Sequence, residues 1–170
     1  QLNDTHPILA IPELMRLMMD VYGYGWQESW EVVQKTIAFT NHTIMQEAME
    51  KWPINFLKDT CPRCMMIIEE INRRFNFYLD SLNATEDIKR AVSIIKDGQV
   101  YMVNLGICAA FSINGVAKLH TDILKNETFK EFYALFPEKF NNKTNGVTHR
   151  RWLVYSNPEL ANIISSNIGD

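Results

Sequence analysis

The sequence predicts a mainly α fold with a few short strands. Apolar residues recur at helical spacing along most of the chain, and Gly, Pro and Asn clusters punctuate the runs. The clearest strand signal is confined to VSIIKDGQVYMV.

Taken in order, Pro12 suits a helix N1 position, where its missing N–H costs nothing. Leu14, Leu17, Met18 and Val21 continue the helical spacing until Gly23 and Gly25 stop it. Trp26, Trp30, Val33 and Ile37 form the next apolar stripe, expected to end near Thr40. Asn41-His42-Thr43 breaks the pattern, and a short helical stretch is expected up to Trp52-Pro53, with INFLKDT reading as more helix. The longest helix is predicted from Pro62 to about Leu82. Met65, Ile68, Phe75, Leu79 and Leu82 mark its buried side, and Glu69, Glu70, Arg73 and Arg74 lie elsewhere on its surface. Thr85 can cap a short helix, and VSIIKDGQVYMV reads as two strands about an Asp97-Gly98 turn.

Asn104 to Lys125 reads as one helix, nearly apolar on all sides through Ala117 and therefore packed on several faces. A helical Gly costs about 1 kcal/mol against Ala, so close backbone packing is expected at Gly106 and Gly115. Thr128 is expected to cap a short helix carrying Phe129, Phe132 and Leu135. NNKTNG reads as a loop, and Asn157-Pro158 caps and starts a final helix.

A length of 170 residues suits one domain or a large piece of one. A 46% apolar and 22% charged composition is that of a soluble globular protein. The net charge of -3 argues against a nucleic-acid partner, and no apolar run has the length of a membrane span. No signal peptide opens the chain, and three cysteines make no even disulfide framework, so a reducing, cytoplasmic setting is expected. Gln1 at the start and Gly169-Asp170 just after a helical pattern suggest an internal fragment. Sequons at Asn3, Asn41, Asn83, Asn126 and Asn142 read as chance matches in an Asn- and Thr-rich sequence.

Cys61-Pro62-Arg63-Cys64 has the spacing of a redox pair at a helix start. A thioredoxin-like site also needs a preceding strand, and a zinc site needs further ligands, so two incidental thiols are the better reading. Thr148-His149-Arg150-Arg151-Trp152 can hold a phosphate in guanidinium forks, against the plainer reading of a solvated basic turn, which pattern alone favours. His6, His42, Asp4 and Asn145 lie in predicted loops or at helix edges. NDTH, TNHT and KTNG are neutral hydrogen-bonding clusters that suit a ligand rich in hydroxyls rather than metal or nucleic acid. Spacing alone leaves open whether they converge.

QLNDTHPILAIPELMR, TNHTIMQEAMEKWP, NGVAKLH, FKEFYALFPEKFNNKTNGVT and RRWL resemble successive landmarks of the α-glucan phosphorylases, which include glycogen, starch and maltodextrin phosphorylase. The motifs occur in the family's order and cover essentially the whole chain. The resemblance implies a fragment of the N-terminal Rossmann-like lobe of a GT-B glycosyltransferase. Residues 1–146 would be the C-terminal part of that lobe, and 147–170 the crossing segment and first helix toward the C-terminal lobe. It implies phosphorolysis of terminal α-1,4-glucosyl residues to α-glucose 1-phosphate, with α-1,4-glucan and inorganic phosphate as partners. It also implies pyridoxal 5'-phosphate as cofactor and a homodimeric parent.

By the same resemblance, His42 matches a family His contacting the 6-hydroxyl of the transferred glucose, and its carbonyl would lie near the developing positive charge. Asn145 matches an Asn binding the same sugar. Asp4, His6 and Thr43, with Glu50 further out, match residues lining the pocket. Val116 matches an apolar wall of the subsite, and Trp152 an aromatic beside the cofactor. His149 replaces the family's usual Pro, Phe111 stands where a His is common, and Cys61-Pro62-Arg63-Cys64 replaces Leu-Pro-Arg-His. The attachment-lysine segment, the Lys/Arg-rich phosphate-binding segment and an early Gly-rich loop of the family have no match in this sequence. One wall of an active site, inactive alone, is therefore expected. The alternatives are a non-enzymatic helical carbohydrate-binding or interaction module, with Trp26, Trp30 and Trp52 reading as core, and a thiol redox module.

Overall fold

Four short runs, LN, AFT, SING and FNN, hydrogen-bond into one parallel sheet in the computed structural model, which describes residues 1–169. The first elements are β1 (Leu2–Asn3), α1 (Ala10–Arg16), α2 (Trp26–Thr36) and β2 (Ala38–Thr40). β3 (Lys51–Pro53), α3 (Ile54–Thr60), α4 (Pro62–Ser81) and α5 (Glu86–Val92) follow. Then come β4 (Ile95–Lys96), β5 (Gln99–Tyr101), α6 (Met102–Ala109), β6 (Ser112–Gly115) and α7 (Lys118–Ile123). α8 (Lys130–Leu135), β7 (Phe140–Asn142) and α9 (Pro158–Ile168) complete the order.

The sheet runs β1-β2-β6-β7, with Leu2 beside Phe39, Phe39 beside Ile113 and Ile113 beside Phe140. Those four side chains are buried. Parallel strands need helical crossovers, and α1, α2, α6 and α7 supply them. α6 is buried along its entire length, as its all-round apolar sequence demands. A Cβ on Gly106 would come 2.6 Å from Ile8 Cδ1, so the expected close approach is present. Lys139 closes the C-terminal end of α6, donating from Nζ to the carbonyls of Ile107 and Cys108.

α4 spans 20 residues as predicted, and buries Met65, Ile68, Phe75 and Leu79 with Cys64, Ile67 and Ile71. Leu82 is exposed because it lies past the last turn as the C-cap. The hairpin forms, with β4 antiparallel to β5 and β3 on the other side of β5. Asp97 and Gly98 take φ of 49° and 72°, the left-handed pair that a tight hairpin turn requires. Asn72 of α4 holds the hairpin entry, its Oδ1 accepting from the N–H groups of Ile94 and Ile95. Thr85 caps α5 and Asn157 caps α9, each through its side-chain oxygen.

Several expectations are corrected. Residues 38–40 are a strand rather than a helix end, and 46–53 hold a single 3-10 turn and β3 rather than a helix. Asn104 to Lys125 is helix, strand and helix: β6 is only the four residues SING, with Ile113 between Ser112 and Asn114, too short a break in the apolar run for periodicity to register. Gly115 thus lies at a strand end. α1 begins before Pro12 and buries Ile11, Pro12 and Met15, whereas Val21 is exposed. Its continuation, Leu17–Val21, is a π-helical turn, whose wider winding rotates the predicted stripe off the core. Thr128 ends another π-helical turn and caps nothing, and Asn141-Asn142 of NNKTNG belong to β7.

None of the described residues in 143–169 is buried. Among the described residues no helix is long and apolar enough to cross a membrane.

The two glycine approaches differ in what would have to move. A Cβ on Gly115 would meet Thr121 Oγ1 at 2.5 Å and the Thr121 backbone at 3.0 Å, whereas at Gly106 the close contact is a flexible side-chain end. Gly115→Ala should lower stability by about 1–3 kcal/mol and Gly106→Ala by less. Denaturant midpoints of the two variants check this, and equal midpoints would contradict it.

Candidate functional site

Parallel strands all end on one edge, so the residues that follow them are brought together, and ligands of α/β folds settle at that edge. Here Asp4 follows β1, Asn41-His42-Thr43 follows β2, Val116 follows β6, and the loop with Asn145 follows β7. The ladder continues past the strand ends. The Asp4 N–H donates to the Thr40 carbonyl (2.8 Å), and the Asn41 N–H to the Asn114 carbonyl (3.0 Å). The Lys143 N–H donates to the Gly115 carbonyl (3.1 Å), and the Asn145 N–H to the Val116 carbonyl (2.9 Å). NDTH, TNHT and KTNG therefore converge, which their spacing alone left open.

Each loop is held internally. Asp4 sits at φ 61°, a left-handed conformation that Asp tolerates, and its Oδ1 accepts the Thr5 N–H at 2.7 Å. The buried Thr5 hydroxyl donates to Glu50 Oε2 (2.7 Å), and Trp52 Nε1–H donates to Glu50 Oε1 (2.9 Å). His6 Nδ1 lies 3.6 Å from the same carboxylate. His42 Nε2 is 2.7 Å from Asn3 Oδ1, which ties the loop after β2 to β1. Asn41 Nδ2–H donates to the Thr43 carbonyl at 2.6 Å. The His6, His42 and Asn145 side chains are exposed, and Asp4, Thr43, Glu50 and Val116 are half-buried.

Trp152 is 62% exposed in the π-helical turn Arg150–Tyr155, with the Arg151 guanidinium 5.8 Å from its ring centroid. No hydrogen bond among the described residues ties its indole to the sheet edge. The basic pair and the exposed ring fit one side of a flat, phosphate-bearing group.

Sequence reasoning missed His120, 8% exposed on α7. Its Nδ1 accepts the Val116 N–H at 3.0 Å, which places the ring proton on Nε2. Nε2 is buried and has no partner among the described residues, and the same holds for Asn41 Oδ1. Burial, then the neighbouring His42, pushes the His120 pKa below its ordinary value, so the ring stays neutral. The available signal was its place four residues after Val116 in NGVAKLH, close enough for a side chain to reach back over the turn.

The thiols are not arranged for redox chemistry. Cys64 lies 3.5 Å from Glu13 Oε2, and burial, with that carboxylate, pushes its thiol up to about 11. A redox thiol needs the reverse shift, and the preceding element is α3, not a strand. Among the described residues no group of three or more His, Cys, Asp or Glu side chains is arranged to hold a metal ion. An apolar groove of about 440 Å³ lies away from the strand-end loops, lined in part by Trp26, Trp30, Phe75, Tyr78 and Phe136. Trp26 and Trp30 are therefore half-buried groove walls rather than core. The strand-end edge instead offers polar donors and acceptors, among them the Asp4 and Glu50 carboxylates, which suit sugar hydroxyls.

The sequence model of a family described as Carbohydrate phosphorylase matches residues 1–170. The chain is 48% identical to the glycogen phosphorylase of Bacillus subtilis (strain 168), over 99% of this chain and 21% of that protein. It is 49% identical to the muscle form of glycogen phosphorylase from Oryctolagus cuniculus and 47% identical to that from Homo sapiens, over 100% of this chain and 21% of each relative. The chain thus spans about a fifth of the length of the curated relatives it matches.

The neutral state of His120 makes stability depend on pH. The unfolded chain protonates His120 near its ordinary value of 6.5, whereas the folded chain resists until a lower pH. The contribution is therefore fully present above 6.5, falls as pH drops below it, and levels off beneath the folded pKa. Denaturation midpoints at neutral and mildly acidic pH should fall more for the parent chain than for His120→Asn. Parallel falls would contradict this assignment.

Proposed function

The chain belongs to the carbohydrate phosphorylase family, and from that premise we propose that it supplies one wall of the glucosyl site of an α-glucan phosphorylase. The reaction breaks the bond between the anomeric carbon of a terminal α-1,4-linked glucose and the glycosidic oxygen, and passes the glucosyl group to inorganic phosphate with retention. It gives α-glucose 1-phosphate and the shortened glucan, whose freed 4-oxygen takes a proton. The observation that carries this reading is the convergence of three polar, hydrogen-bonding loops at the C-terminal edge of one parallel sheet. A self-standing carbohydrate-binding module is disfavoured, because the family match runs the whole chain.

In this reading His42 and Asn145 hydrogen-bond the hydroxyls of the glucose being transferred, and the His42 carbonyl faces the positive charge that develops at its anomeric carbon. Asp4, His6 and Thr43 line the pocket, with Glu50 behind them, and Val116 forms its apolar side. Glu50 acts through Thr5, whose hydroxyl it accepts, and so fixes the NDTH loop. These groups accelerate the reaction to the extent that their contacts tighten as charge forms, and not by binding the ground state alone.

The family resemblance assigns acid/base chemistry to the phosphate of pyridoxal 5'-phosphate in the parent enzyme. Of this chain, Trp152 would stand beside the cofactor ring and Arg150 and Arg151 near its charge, while the attachment lysine would come from outside the sequence. Residues 1–146 are read as the end of the N-terminal GT-B lobe and 147–170 as the crossing toward the second lobe. A homodimeric cytoplasmic parent completes the reading, and the isolated chain is expected to release no glucose 1-phosphate.

In a full-length phosphorylase carrying this segment, His42→Ala and Asn145→Ala should each lower kcat by about 10- to 1000-fold, the range for a lost transition-state hydrogen bond. Asn145→Asp is sharper, since it keeps the shape, removes the N–H donor and adds a charge beside an anionic substrate. Near-parental kcat/KM in steady-state assays of Asn145→Asp would remove the KTNG loop from the reacting sugar.

A further inference from the structure

We propose that His120 positions the glucosyl wall, its Nδ1 accepting the Val116 N–H and so fixing the backbone pair through which Val116 meets Asn145. The proposal rests on the phosphorylase reading for the identity of the wall, but the clamp itself rests on geometry. Val116 is the first residue past β6, and both of its backbone groups are engaged outside the sheet. Its N–H goes to His120 Nδ1 at 3.0 Å, and its carbonyl accepts the Asn145 N–H at 2.9 Å. A single residue thus links α7 on one side to the loop after β7 on the other.

Local sequence explains why a side chain must do this. α7 starts directly after Ala117, which has no side-chain oxygen to cap it, and no side-chain cap forms. His120 is the third residue of that helix, the position from which a capping-box side chain reaches back over the turn. Here it reaches one residue further, to the Val116 N–H. The turn has little slack, since Gly115 is pressed against the Thr121 backbone. The single Thr121 hydroxyl proton faces two acceptors, the Ala117 carbonyl (2.9 Å) and Asn142 Oδ1 (3.2 Å), so the same turn of helix also touches the end of β7.

The ring is not a mere filler. A buried donor left without a partner carries an uncompensated desolvation cost, and Nε2–H is such a donor among the described residues. An apolar side chain would fill the space without that cost, but would leave the Val116 N–H unaccepted.

The test uses a full-length phosphorylase containing this segment. In His120→Asn the side-chain oxygen can replace Nδ1, whereas His120→Gln places its polar group nearer the Nε2 position and loses the acceptor. His120→Asn should keep kcat within about threefold, and His120→Gln should lower it about 10- to 100-fold with the phosphate KM within about twofold, as expected for misplaced transition-state contacts. Hydrogen exchange at the Val116 amide should accelerate in His120→Gln and stay slow in His120→Asn. The reverse order of the two variants, or two variants with parental kcat and exchange, would overturn the proposal. If His120→Gln does not fold, His120→Asn decides: parental kcat with a protected Val116 amide supports the clamp, and a folded variant with that amide exposed overturns it. The exchange measurement needs no turnover, so an inactive parent would count against the phosphorylase reading and not against the clamp.

Discussion

Phe39 lies beside Ile113 in the two central strands of the parallel sheet, and that pairing sets the position of everything that follows them. Both side chains are fully buried, so a slip of one residue would expose them and turn polar neighbours inward. With the register fixed, β1 and β7 dock on the outer sides and all four strands finish on one edge. The loops beyond that edge have little freedom left, because the ladder of backbone hydrogen bonds continues through Asp4, Asn41, Lys143 and Asn145. The polar site follows from apolar pairing several residues away.

The sheet is narrow, and its support comes from the helices around it. α6 is buried on all sides, approaches Ile8 closely through Gly106, and ends on the Lys139 ammonium. Burial lowers the Lys139 pKa, and its two carbonyl acceptors offset part of that desolvation. α4 packs against α1 and holds the hairpin through Asn72. The segment after Asn142 differs: it buries nothing among its described residues and presents Val154, Tyr155, Ile163 and Ile168 to solvent.

Helices with a local signature were legible in the sequence. α4 has a Pro start and a long stripe, α5 and α9 have side-chain caps, and the hairpin has Asp97-Gly98. The parallel sheet was not, because strands of two to four residues are too short to show an alternation that can be told from a piece of helix. SING vanished into an apolar run, and AFT looked like the end of an amphipathic helix. For the site, residue type revealed three hydrogen-bonding loops, but their convergence depends on strand pairing that no local pattern encodes. His120 was hidden for a related reason, since a single His on a helix acquires meaning only when the turn before it presents an N–H to Nδ1. The family resemblance named the residues of these loops without the fold, whereas the backbone contacts show how the strands bring the loops to one edge.

The proposed glucosyl site lies at the C-terminal edge of the parallel sheet. Crystals of a full-length phosphorylase carrying this segment, soaked with glucose, test it directly. The sugar is expected at that edge, with hydroxyls in hydrogen-bond reach of His42 and Asn145. Glucose seated instead in the aromatic groove of Trp26, Trp30 and Tyr78, with the edge empty, would contradict it.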